Sequence, residues 1–212
     1  MRKKHKELKR GFLIVLEGID GCGKTTQAKN LVKRLQEKGF DAVFYKEPSE
    51  GHWGKLIKEK AGHQGGLTPE QEFELFQNDR EENVKINIKP ALKKKKIVVL
   101  DRYYFSTMAY QSAKGIDIQE IKKRNDKIVV PPDLVIILDI DARSGLNRIK
   151  GRKKKDLLFE REDYLREVGK IFKSFSGENI IHLDAKESKE RLYSKIEHLV
   201  MDTIKESIVF SP

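Results

Sequence analysis

Cysteine is almost absent: Cys22 is the only one in 212 residues. No intramolecular disulfide is possible, so a small cross-linked secreted fold is excluded and nothing points to an oxidising compartment. Long apolar runs are missing too. No stretch approaches the roughly 18–20 residues needed to span a bilayer, and the apolar run at residues 12–16 is too short for a signal-peptide core. The five histidines show no zinc-like spacing, and there is no internal repeat or Pro/Gly/Ser-rich linker. Acidic residues are in deficit, 33 against 44 Lys and Arg, which leaves a formal charge of +11 and implies an anionic partner. Aromatic residues interleaved with basic ones are sparse in residues 2–10, so an RNA- or DNA-binding arm is not expected. These absences leave a soluble cytoplasmic protein, without nucleic acid or membrane, as the expectation.

What is present is an alternation. Short apolar runs at residues 12–16, 42–45, 97–100, 134–138 and 180–183 are separated by segments with apolar residues at helical spacing, such as Leu31 and Leu35, or Leu192, Ile196, Leu199, Val200 and Ile204. Unbroken apolar strands between helices predict an α/β fold: a five-stranded parallel sheet covered by helices on both faces, a three-layer sandwich. One domain is expected over residues 11–208, after a basic, solvated, mobile extension at 1–10. Residues 46–54 (KEPSEGHWG) read as a loop after the second strand, and residues 150–156 as a basic turn. In such folds ligands sit beyond the carboxyl ends of the strands, so the motifs there carry the function.

Directly after the first run comes GIDGCGKTT, residues 18–26, followed by a helical pattern. This is the G-x-x-x-x-G-K-[ST] phosphate loop in its required setting between strand and helix. Gly18, Gly21 and Gly23 let the backbone curl so that the amides of residues such as Asp20, Cys22 and Thr26 can face phosphate oxygens. The helix beginning near Lys24 adds the positive end of its dipole. Lys24 is expected at the β- and γ-phosphates of a nucleoside triphosphate, and the Thr25 hydroxyl on Mg²⁺. Cys22 reads as a small residue that fits a tight loop. The third run ends in Asp101, placed as an Mg²⁺ partner, followed by Arg102, which suits a two-pronged phosphate contact. Phe76 and Arg80 lie four apart on one helical face, which suits a stacked base with a donor beside it.

Together these segments resemble the thymidylate kinase family. The resemblance runs through EGIDGCGKTT, the Glu47–Pro48 pair, LFQNDR at 75–80, DRYYFSTMAYQ at 101–111, PDLVIILD at 132–139 and a basic lid at about 148–160. It implies phosphoryl transfer from ATP to dTMP, with Mg²⁺, in a chain that is commonly a homodimer. By position, Phe76 and Arg80 would hold the thymine, and Thr107 would approach the base edge. Tyr110 would crowd the 2′ side of the sugar, Arg102 would bind the acceptor phosphate, and Asp20 would hold the 3′-hydroxyl. Lys46, Pro48, Ser106 and Gln111 complete the implied acceptor site. The loop's interior positions Gly21 and Cys22 are not basic, whereas the lid reads RIKGRKKKD. This is the pattern of members whose catalytic arginine comes from the lid, and Arg152 is the first candidate. The chain departs from the family at Lys46, which replaces an arginine, at Gln77 and Asn78, which replace alanines, and after Asp156, where an arginine is missing. A kinase of the same scaffold acting on another nucleoside monophosphate or small acceptor is the alternative.

Overall fold

The computed structural model describes residues 6–60, 67–149 and 156–209. A two-residue strand β1 (Glu7–Leu8) precedes β2 (Phe12–Glu17), which leads through the phosphate loop into α1 (Lys24–Glu37) and β3 (Ala42–Lys46). Next come α2 (His52–Lys60) and α3 (Pro69–Asn83), then a π-turn, α4 (Lys89–Lys93) and β4 (Ile97–Asp101). The chain continues through α5 (Tyr104–Ser112), α6 (Ile118–Asn125), β5 (Leu134–Asp139), α7 (Ala142–Ile149) and α8 (Asp156–Ser174). It closes with β6 (Ile180–Asp184), α9 (Lys189–Ile204) and a short β7 (Ile208–Val209).

The five long strands form one parallel sheet in the order β3-β4-β2-β5-β6. From β2 the chain steps outward to β3, then returns across the sheet in the opposite direction. Right-handed crossovers therefore send α1 to one face and the later connections to the other. α9 packs beside α1, and α8 packs on β5 with α5 and α7. With both faces covered, the central strands hold no polar alternation: Leu13–Leu16 of β2 and Ile97–Leu100 of β4 are all buried. The edge strands β3 and β6 are mostly half-buried, as edges must be. The helical stripe of α9 buries Leu192, Ile196, Val200 and Ile204.

Local chemistry sets the ends of α3. The Thr68 hydroxyl accepts the Gln71 N–H while the Gln71 side chain accepts from the Thr68 N–H, and Pro69 opens the helix. This reciprocal cap satisfies donors that a helix start would otherwise leave bare.

Two expectations need correction. Residues 6–10 are tied down: Glu7–Leu8 pairs antiparallel with Ile208–Val209, Leu8 is buried in the core, and the Lys6 N–H donates to Gly39 O at 2.9 Å. One apolar residue among charges was enough to anchor a segment whose composition reads as solvated. Residues 46–54 are also less irregular than expected. Ser49 is pinned to the buried Asp79 through its N–H (2.8 Å) and hydroxyl (2.5 Å), and α2 begins at His52.

Candidate active site

The loop after β2 is shaped by close backbone approach. A Cβ on Gly21 would stand 2.1 Å from the Gly145 carbonyl oxygen on α7, and the φ of 83° at Gly21 is itself left-handed. Only glycine fits there, and the loop is thereby clamped on α7. α1 then starts at Lys24 with Gly23 as its cap, and the cap makes no side-chain hydrogen bond. Its first turn also holds no acidic residue. Its leading amides and dipole are thus left for an anion. Lys24 is buried, with Nζ 2.9 Å from both the Gly18 and Ile19 carbonyl oxygens, so its charge is held across the loop. Cys22 is buried beneath, with Sγ 3.4 Å from the same ammonium.

At the tip of β4 the Thr25 hydroxyl donates to Asp101 Oδ2. The other oxygen of that carboxylate, Oδ1, is buried and finds no hydrogen-bond partner among the described residues. An orphaned carboxylate oxygen beside a hydroxyl at a phosphate loop fits the oxygen-donor set that a hydrated Mg²⁺ takes.

Arg102 follows in a left-handed conformation, φ 71°, rare for a side chain of its size. The turn is held by Glu17. Its carboxylate, fully buried at the end of β2, accepts the Tyr103 N–H at 2.7 Å, the Ser106 N–H at 3.2 Å and the Ser106 hydroxyl at 2.6 Å. A carboxylate at the start of α5 caps it and suits its dipole, while burial raises the Glu17 pKa. The outcome is a fixed guanidinium. Arg102 donates to Ser106 Oγ at 2.9 Å, Asp20 Oδ1 at 2.5 Å and Tyr110 Oη at 3.3 Å. Burial opposes its charge, but Tyr110, Asp20 and Glu17 outweigh it and raise its pKa.

Arg102, Glu47 and Pro48 line two adjoining pockets. One holds Asp20, Lys24, Thr25, Thr26, Lys46 and Asp101; the other holds Phe76, Arg80, Thr107, Tyr110 and Gln111. Arg80 is the centre of the second. It is 1% exposed, and its guanidinium donates twice to Glu47 Oε2 (2.9 and 2.7 Å), to Asn125 Oδ1 (2.7 Å) and to Thr107 Oγ1 (2.9 Å). Burial pushes the Glu47 carboxyl up to about 7 even though Arg80 pulls it down. A buried, bidentate ion pair of this kind fixes geometry more than it stabilises.

Of the residues expected around an acceptor, Pro48, Phe76, Arg80, Arg102, Ser106, Thr107, Tyr110 and Gln111 line the second pocket. Asp20 and Lys46 instead line the phosphate pocket with Gly21, Gly23, Lys24, Thr25 and Thr26; Gly18 and Cys22 line neither. Arg152, with Lys153, Lys154 and Lys155, lies outside the described residues; of the lid arginines only Arg148 is placed. It lines the phosphate pocket and donates to the Ala185 carbonyl at 2.9 Å. The sequence reading assigned no site role to Glu17, Lys58, Glu72, Tyr103, Lys114 or Tyr164. Lys58 lines the phosphate pocket, and Glu72, Tyr103, Lys114 and Tyr164 line the other. Glu47 was visible as half of a dipeptide, but its partner lies 33 residues away, beyond any local pattern.

A cradle for a donor's phosphate tail that opens, past one arginine, onto a seat for a second molecule is what phosphoryl transfer between two small molecules requires. Fold and site thus define a P-loop kinase. The family model for thymidylate kinase matches residues 16–196. A "probable thymidylate kinase" of Archaeoglobus fulgidus is 43% identical over 189 residues, covering 89% of this chain and 94% of that protein. The thymidylate kinases of Brachyspira hyodysenteriae and Akkermansia muciniphila are 39% and 41% identical, covering 93% and 89% of this chain and 95% and 90% of theirs. The chain belongs to the thymidylate kinase family and is a nucleoside monophosphate kinase. No helix among the described residues is long and apolar enough to cross a membrane.

Proposed function

We propose that this enzyme transfers the γ-phosphoryl group of ATP to dTMP, giving dTDP and ADP. One observation carries the choice of base: the second pocket pairs a donor-only group with a vacant acceptor. Arg80 can only donate, and Gln111 Oε1 is buried without a partner among the described residues. Thymine offers the complement, an accepting O4 beside a donating N3–H. Phe76 lies one helical turn from Arg80 on α3 and supplies a ring face for stacking. Tyr110, held by Arg102, would crowd a 2′-hydroxyl in this reading.

Arg102 lines both pockets, which supports a role for it in holding the acceptor phosphate between base pocket and donor. Asp20, its ion-pair partner, lines the adjoining phosphate pocket and would hold the 3′-hydroxyl. The dTMP phosphate is already a nucleophile near neutrality, so alignment and charge neutralisation suffice. Its oxygen attacks the γ-phosphorus in line and ADP departs. Lys24 and the loop amides receive the tail's charge, and Arg152 from the lid meets the charge developing on the transferring group. Thr25 and Asp101 would hold Mg²⁺, which supplies further charge neutralisation when bound. The cleft between the pockets excludes water once the lid closes, which limits wasteful hydrolysis. A homodimer, as the family resemblance implies, and a cytoplasmic location, as the single cysteine and short apolar runs suggest, are part of the same reading.

The test is acceptor-dependent ADP release with ATP and a panel of dTMP, dUMP, dCMP, dGMP and dAMP. The reading expects dTMP to give the highest kcat/KM. A clear preference for any acceptor other than dTMP would overturn it.

A further inference from the structure

Gln111 uses its amide on one side only. It is 1% exposed, and Nε2 donates to Glu72 Oε2 at 2.9 Å, whereas Oε1 is the buried oxygen left without a partner among the described residues. Glu72 and Gln111 both line the acceptor pocket. A primary amide has a donor end and an acceptor end and can be turned either way. An ionised carboxylate cannot: it only accepts, so the NH₂ end must face it and the oxygen must face away. Lys114, paired with the same carboxylate oxygen, supplies the counter-charge at the pocket rim. Glu72 stands one turn before Phe76 and two before Arg80 along α3. One helical face thus carries the amide's orienter, the stacking ring and the donor to the base.

We infer that Glu72 is a positioning residue for base recognition: by holding the Gln111 nitrogen it presents Oε1 to the base and so selects pyrimidines that carry N3–H over cytosine. This rests on the proposal that the pocket seats dTMP. With the amide reversed, its NH₂ would meet the N3–H of thymine, donor against donor, and would instead suit the bare N3 of cytosine. Arg80 opposes cytosine independently at position 4, because its donors would face an amino group. Glu72 therefore sharpens a choice that Arg80 begins. It does not touch the 5-methyl group, so discrimination between thymine and uracil lies elsewhere.

The experiment is steady-state kinetics with ATP and each of dTMP, dUMP and dCMP. The proteins are wild type, Glu72→Ala, Glu72→Gln, Gln111→Ala and the Glu72→Ala/Gln111→Ala double variant. Loss of one oriented hydrogen bond in a buried site is worth about tenfold, so Glu72→Ala should raise KM for dTMP about tenfold with a smaller change in kcat. The ratio of kcat/KM for dTMP over dCMP should narrow by about the same factor, while the dTMP to dUMP ratio holds. Glu72→Gln, near-isosteric and therefore a safe variant should the alanine fail to fold, keeps an acceptor but loses the enforced orientation and should fall between. In the Gln111→Ala background, Glu72→Ala should add nothing to the loss of base preference. An unchanged dTMP to dCMP ratio in both Glu72 variants, or losses that add in the double variant, would overturn the inference. Failure of wild type on dTMP would instead remove the pocket assignment beneath it.

Discussion

The two pockets are built on opposite principles. The phosphate pocket centres on one contiguous stretch, a nine-residue loop, one buried lysine and the bare start of α1, with charged residues from elsewhere around it. The acceptor pocket is assembled from distant parts of the chain, the loop after β3, α3, α5 and α8, and is locked by the Glu47–Arg80 ion pair. The first recognises charge, which every nucleoside triphosphate carries. The second recognises the hydrogen-bond pattern of one base, and needs rigid donors and acceptors for it. Damage to the first should therefore appear in turnover, and damage to the second in KM, base preference and stability.

The largest effect is expected on the donor side. Arg152→Ala should lower kcat by about 10³-fold or more, with ATP affinity changed far less, as read by single-turnover kinetics and nucleotide titration. Equal rates at saturating substrates would reject that arginine. On the acceptor side, Glu47→Ala strands the Arg80 charge in a buried site and should cost about 3–5 kcal/mol in urea unfolding. A loss under about 1 kcal/mol would mean that water or another group repairs the pair.

The same pair should be visible in the pH dependence of stability. The Glu47 carboxyl is raised from 4.5 to about 7, so across that window the folded chain keeps a proton that the unfolded chain has lost. Its contribution is fullest below 4.5 and is lost as pH rises through about 7. Wild type should lose stability relative to Glu47→Gln over that window, and a constant difference would contradict the burial argument. The smallest effect is expected outside both pockets. Thr68→Ala removes the cap of α3 and should cost about 1 kcal/mol, with KM for dTMP unchanged; a shifted KM would show that the helix start steers Phe76 and Arg80.

The contrast also explains what could be read in advance. The phosphate loop is contiguous, and its residue types follow from backbone geometry, so residues 18–26 declared themselves. The five apolar runs became the five sheet strands because a doubly covered parallel sheet leaves no polar position. Helical spacing put Phe76 and Arg80 on one face, and both line the acceptor pocket, but only the family resemblance gave them a role. Glu17 was not, because its role depends on β2 ending beside the start of α5, 86 residues later. Glu72 shares the helical face of Phe76 and Arg80, but its part depends on Gln111, 39 residues later, and Tyr164 reaches the pocket by tertiary packing and carries no local signature. The strand β1 is two residues long, too short to show a period.

The most direct measurement is a structure of the enzyme with ADP and dTMP bound together. The account predicts the diphosphate on residues 18–26, thymine O4 on the Arg80 guanidinium and N3 within hydrogen-bond distance of Gln111 Oε1. A thymine lying outside the pocket of Phe76, Arg80 and Gln111, or turned so that its carbonyl faces Gln111 Oε1, would contradict it.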